Sequence, residues 1–155
     1  MKVGTRFPSA HRSLMRRVAI AASIVPLAIV PATAWAQSPA YELSGGAISP
    51  DQVARGEAAF MTNCSGCHGD DLRSIDSNAP DLRGPSFQYG WVDTPLSEKF
   101  EKITSTMPPG LAGSLSDQTY ADIMAFILAT NGVAPSEGEL PGDGEALAAY
   151  VVNQP

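Results

Sequence analysis

Five consecutive residues carry the most legible chemistry in this chain: Cys64-Ser65-Gly66-Cys67-His68. Two thiols separated by two residues, with an imidazole directly after them, make the pattern C-x-x-C-H. A thioredoxin-like redox pair would use such thiols in a βαβ context, which the flanking residues lack. A zinc site would need three or four ligands, and no second cluster of Cys and His accompanies this one. A disulfide between the two would close a tiny loop and gain little entropy. The remaining chemistry is covalent attachment of haem. The two thiols add across its two vinyl groups, and the next residue offers an imidazole to the iron. Gly66 is expected to help the chain turn between the two sulfurs.

Such a group must be walled in, and the flanking sequence provides helices for that. Ser49-Pro50-Asp51-Gln52 announces a helix: Ser49 as cap, Pro50 at the first helical position, and Gln52 to close a capping box. Val53, Gly56, Phe60 and Met61 follow at helical spacing. A glycine inside a helix costs about 1 kcal/mol relative to alanine, so Gly56 implies close approach of another helix. Residues 69–95 are rich in Gly, Pro, Asp and Ser and read as loop. Thr94-Pro95 opens a second helix with Leu96, Phe100 and Ile103 on one face. Residues 104–114 read as loop. Ser116-Asp117 starts the clearest helix, where Tyr120, Ile123, Met124, Ile127 and Leu128 share a face. Asn131-Gly132 ends it. Residues 145–152 are expected to form one last short helix, and no strand pattern stands out. The fold class is therefore all-α, three to four short helices with long loops. So small an apolar core needs a staple, which the haem would supply.

The chain has 155 residues, with 10 basic and 16 acidic side chains. Its first 36 residues contain no acid and five of the bases, followed by an apolar run from Val18 to Val30 and then Ala34-Trp35-Ala36. That is the order of a secretory leader cleaved after Ala36. An uncleaved anchor is the alternative, but the run is short for a span and contains Pro26. A start at Met15 would give a leader of more usual length. Arg16-Arg17 lacks a twin-arginine context. The expected organisation is a signal peptide over 1–36, a flexible lead-in over 37–48, a haem domain over 49–132 and an acidic Gly/Pro-rich extension over 133–155. Residues 37–155 keep all 16 acids and five bases, Arg55, Arg73, Arg83, Lys99 and Lys102, for a formal charge of −11. That charge argues against nucleic acid and for partners with basic docking patches. Export implies the periplasm, and no second apolar run approaches spanning length.

The pattern Gly56, Phe60, Cys64-Ser65-Gly66-Cys67-His68, followed by a last helix with Ile123 and Phe126, resembles the class I c-type cytochromes over residues 49–132. The resemblance implies a small cytochrome c fold wrapped round one covalent haem c. It also implies crossing of the first and last helices at Gly56. An electron-transfer haem needs a sixth ligand. No second histidine remains after residue 36, which leaves Met61, Met107 and Met124. Met61 lies just before the motif on the histidine side, and Met124 sits on the apolar stripe of the last helix. Met107 stands on a loop, before Pro108 and Pro109, which exclude helical backbone and stiffen the segment. The resemblance agrees, because the family's methionine ligand lies on such a loop. It also implies that the Pro80 carbonyl receives the His68 Nδ1 proton and that Leu82 packs on the haem. Arg83, Tyr89 and Trp91 are candidate donors to the haem propionates, each equally readable as an ordinary surface or core residue. Phe60, Phe100, Tyr120, Ile123 and Phe126 read as plain core.

These readings describe an electron carrier between a dehydrogenase and a terminal acceptor. Met107-Pro108-Pro109-Gly110 and residues 117–123 resemble cytochromes that work with quinoprotein and related dehydrogenases. A haem subunit held in a larger dehydrogenase complex is the alternative, with residues 37–48 and 133–155 as docking arms. A haem enzyme or gas sensor with an open iron would require that Met107 does not bind. Asp70 and Asp71, just after His68, are candidates for the docking edge.

Overall fold

A computed structural model describes residues 40–154, with Met1 and Gly4 besides. The expected leader, its cleavage site and residues 37–39 otherwise lie outside the described residues.

Two long helices form the frame. Helix α1 (Pro50–Asn63) starts where Ser49 accepts the amide of Gln52 at 3.0 Å, with Pro50 in its first turn and Asp51 favourably placed toward the positive helix end. Its buried residues Gln52, Gly56 and Phe60 recur every four positions and so form one stripe. Helix α5 (Asp117–Thr130) is capped in the same way by Ser116, and every residue from Tyr120 to Leu128 is buried. A helix buried on all sides is the centre of the domain.

The two helices pack on each other, and Gly56 sits where they meet. A β-carbon at Gly56 would overlap the Asp122 carbonyl and come within 3.1 Å of the Phe126 β-carbon. The ring of Phe60 meets that of Phe126 with centroids 5.3 Å apart. Close backbone approach therefore explains the glycine that helix propensity alone would reject.

Helix α2 (Ser65–His68) is a single turn following α1. Helix α4 (Leu96–Thr106) packs against α5, with Leu96 and Phe100 buried and Ile103 half-buried, as its spacing predicts. The stretch 69–95 is not wholly loop: Pro85–Trp91 forms helix α3, which buries Phe87 and Trp91 and stacks their rings at 5.6 Å. Seven residues flanked by Gly and Pro are too few to display a helical period.

The ends of the domain depart furthest from expectation. Strand β1 (Glu42–Ser44) pairs antiparallel with β2 (Val151–Asn153), Leu43 opposite Val152. On its other side β2 is bridged by Val92 and Pro95, and its Val152 carbonyl accepts the Asp93 amide at 2.8 Å. The helix expected over 145–152 is replaced by one 3-10 turn, Ala146–Ala149, followed by this strand. The described part of the lead-in expected over 37–48 is not loose: the Ala40 amide donates to the Gly132 carbonyl at 3.1 Å, and Ile48 is fully buried. Leu140, Leu147 and Val152 are also fully buried, so the extension is part of the core rather than a free docking arm. Three residues are too few for alternation to stand out, and these partners lie more than 100 positions apart, so the chain carries no local sign of the pairing.

Gln52 illustrates the same point. Its backbone amide joins the cap, but its side chain closes no capping box. The side-chain amide donates to Asp122 Oδ1 at 3.0 Å and to the Leu140 carbonyl at 2.9 Å, and its oxygen accepts the Leu140 amide at 2.8 Å. Arg55 and Gln118 also donate to Asp122, at 2.9 Å each. Burial by itself would raise the Asp122 pKa, but these donors outweigh it and hold the carboxyl below the usual carboxylate range. The extension is thus pinned where α1 and α5 cross.

Candidate functional site

The last turn of α1 delivers the cysteine motif. Cys64 donates its amide to Phe60, and the amides of Cys67 and His68 return to the Cys64 carbonyl at 3.2 and 3.0 Å. This turn puts Cys64, Cys67 and His68 on one wall of a cavity of about 450 Å³. The two thiols are free. Burial pushes the Cys64 thiol up to about 11, opposite to the lowered value that a thioredoxin-like nucleophile needs. Gly66 lines the cavity but is not required for the turn, since a β-carbon there would meet nothing within 4 Å. Gly69, with φ +73°, ends the turn instead.

His68 is buried and its Nδ1 lies 2.9 Å from the Pro80 carbonyl. A carbonyl only accepts, so Nδ1 carries the proton and Nε2 keeps its lone pair. The segment that supplies this carbonyl is itself anchored. Ser74 donates its hydroxyl to the Cys67 carbonyl at 3.2 Å and its amide to Asp81 at 2.7 Å. Leu82 lines the cavity, held by its amide on Leu72 and by Asn131 Nδ2 on its carbonyl.

Met107 closes α4 and lines the same cavity, followed there by Pro108 and Pro109. Its backbone, at φ −124° and ψ 147°, has the extended conformation that a following proline imposes. The other two candidates fall elsewhere: Met124 is fully buried in the core, and Met61 packs against it outside the cavity lining. Phe60, Trp91, Ile103, Ile123 and Ile127 supply apolar wall.

Not every expected residue reaches the cavity. Trp91 lines it, but Arg83 does not: its guanidinium donates to the Asp71 carbonyl at 3.1 Å and borders a separate polar depression. Tyr89 points away and is 88% exposed. The pattern missed Lys99 and Lys102, which line the cavity with Ile103 and Thr106. These four fall at i, i+3, i+4 and i+7, a stripe beside the apolar face of α4 that was legible in the spacing. Neither lysine makes an ion pair among the described residues. The donor set fits a covalent haem: two unpaired thiols, an oriented imidazole, a thioether, apolar walls and two ammonium groups suited to carboxylates.

The family model described as cytochrome c oxidase, cbb3-type, subunit III matches residues 51–127. No curated protein matches, and no solved structure matches. Among the described residues no helix is long and apolar enough to cross a membrane.

Proposed function

This chain belongs to the c-type cytochromes, which carry covalent haem c, and on that premise we propose that it is a periplasmic monohaem electron carrier. The observation that supports this reading is the convergence of Cys64, Cys67, His68 and Met107 on one largely apolar cavity. Bound there, haem supplies a one-electron couple at its iron. Cys64 and Cys67 would hold it through thioethers. His68 would offer Nε2 to the iron, with the Pro80 carbonyl keeping the ring oriented and making that nitrogen a stronger donor. Met107 would offer its thioether to the iron, and thioether ligation raises the potential relative to a second histidine. Lys99, Lys102 and Trp91, which line the cavity, would supply donors to the propionate carboxylates. The hydrogen bonds that anchor His68 and Met107 would keep these ligands in place, so little rearrangement would accompany gain or loss of an electron.

The carrier takes electrons from a dehydrogenase, of the quinoprotein kind or related to it, and passes them to a terminal acceptor. With 16 acids against five bases over 37–155, its partners present basic patches. Asp70 and Asp71 flank the motif at the docking edge. A second reading, a haem subunit held in a larger dehydrogenase, is favoured by exposed Ile75, Tyr89 and Leu111 beside segments that line the cavity.

An optical spectrum tests the proposal. The oxidised holoprotein should show a sulfur-to-iron charge-transfer band, and the reduced form should not shift with carbon monoxide. A high-spin spectrum that shifts with carbon monoxide would replace the carrier by an open-iron catalyst or sensor. For the docking edge, Asp70→Asn with Asp71→Asn should slow reduction by a basic partner and flatten its salt dependence. Unchanged rates and slope would refute it. Co-purification with a large subunit would select the second reading.

A further inference from the structure

Tyr120 stands at the start of the buried stretch of α5, 13 positions beyond Met107, and reads from its spacing as core. Its ring is core, with 1% of the residue exposed. Its hydroxyl is not idle: it donates to the Met107 carbonyl at 2.7 Å. The Met107 amide, for its part, donates to the Ile103 carbonyl at 2.9 Å as the last bond of α4. The peptide groups on the two sides of the Met107 α-carbon are therefore tied to two different helices. Pro108 and Pro109 follow and offer no amide hydrogen, so backbone donors on the C-terminal side of Met107 are missing for the next two residues. Among the described residues, the Tyr120 hydroxyl makes the hydrogen bond that ties this side of Met107 to α5.

We propose that Tyr120 is a positioning residue for the sixth ligand: its hydroxyl, through the Met107 carbonyl, holds the Met107 thioether over the iron. This rests on Met107 being that ligand. A thioether is a weak, neutral donor, so its hold on the iron depends on how little the loop gains by leaving. Tying the carbonyl to α5 removes the freedom that departure would otherwise recover. Without the hydroxyl, the carbonyl is left with no partner in a half-buried place, and the loop is free to swing out toward water. An exogenous ligand that must wait for Met107 to leave then binds faster.

The experiment uses the oxidised holoprotein, with cyanide as the probe that competes with sulfur for the iron. Tyr120→Phe keeps the ring and removes only the hydroxyl. It should bind cyanide about tenfold faster than the parent, the scale expected for one lost hydrogen bond to a part-buried carbonyl, with a weakened charge-transfer band. Leu128→Ala serves as a comparison, because it loosens α5 about two turns along the helix from Tyr120. If it speeds cyanide binding as much as Tyr120→Phe does, or if Tyr120→Phe lowers the unfolding midpoint while leaving rate and band unchanged, Tyr120 is structural only and the proposal fails. Met107→Ala separates the two layers. If it leaves the charge-transfer band intact, the ligand assignment fails and the positioning role falls with it. If it abolishes the band while Tyr120→Phe leaves band and rate unchanged, only the positioning role fails.

Discussion

At the scale of single residues, the site and the frame use different physics. Met107→Ala removes the thioether without disturbing the extended backbone that Pro108 imposes. The reduction potential should fall, and carbon monoxide should bind the reduced form, both readable by spectroelectrochemistry. Asp122 tests the frame instead. Arg55, Gln118 and Gln52 hold its carboxyl below the usual carboxylate range against the opposing effect of burial. A depressed folded-state value means that the unfolded chain takes up the proton first, so stability rises with pH through this window. The contribution is complete above about pH 4, the ordinary range for Asp, and is lost as pH falls through the depressed value. Asp122→Asn should cost about 1–3 kcal/mol at neutral pH and flatten the acid limb of stability against pH, measured by denaturant unfolding. An unchanged acid limb would show that another carboxylate sets it.

Helices decide how these residues meet. The crossing of α1 on α5 depends on the absence of a side chain at Gly56. Gly56→Ala should cost about 1–3 kcal/mol, the range for overpacking, despite the better helix propensity of alanine. Thermal unfolding of the holoprotein measures the loss, and a gain in midpoint would mean that the two helices part without penalty. Much of this level was legible in advance: the Ser49 and Ser116 caps, the stripe of α4 and the stop at Asn131-Gly132 all follow from local chemistry. Helix α3 was not, because a seven-residue helix between Gly and Pro leaves no periodic trace. Lys99 and Lys102 were also passed over. Their spacing was visible, but which face of α4 meets the cavity depends on how α4 lies against α5.

Across the whole molecule, the C-terminal segment is the largest addition to what the sequence pattern implied. It crosses over α4, pairs with β1 and buries Leu140, Leu147 and Val152. Leu147→Ala should cost about 2–5 kcal/mol, as for other buried leucines, in denaturant unfolding of the full chain. A loss below about 0.5 kcal/mol, the level of an ordinary surface change, would mean that the segment contributes little to the core. The charge of the domain acts at this scale too. Its rate of electron exchange with a basic partner should fall as salt rises, whereas exchange with a neutral small-molecule reductant should hardly change. Stopped-flow measurement at two ionic strengths distinguishes the two.

What the chain determines by itself is chemistry carried by contiguous residues. Cys64, Cys67 and His68 lie within five positions, and the proline after Met107 restricts its backbone with no help from the rest of the fold. Caps and stripes are equally local, because they rest on hydrogen bonds and spacings of three or four residues. The resemblance already implied Pro80 on His68 across 12 positions, but tertiary structure alone decided other distant partners: Tyr120 on Met107 across 13 and, in the frame, Leu140 on Gln52 across 88. Each is one or two hydrogen bonds made by a residue that also has a local role. Its partner is chosen by where closure of the chain brings two backbones together, and no short-range pattern records that choice.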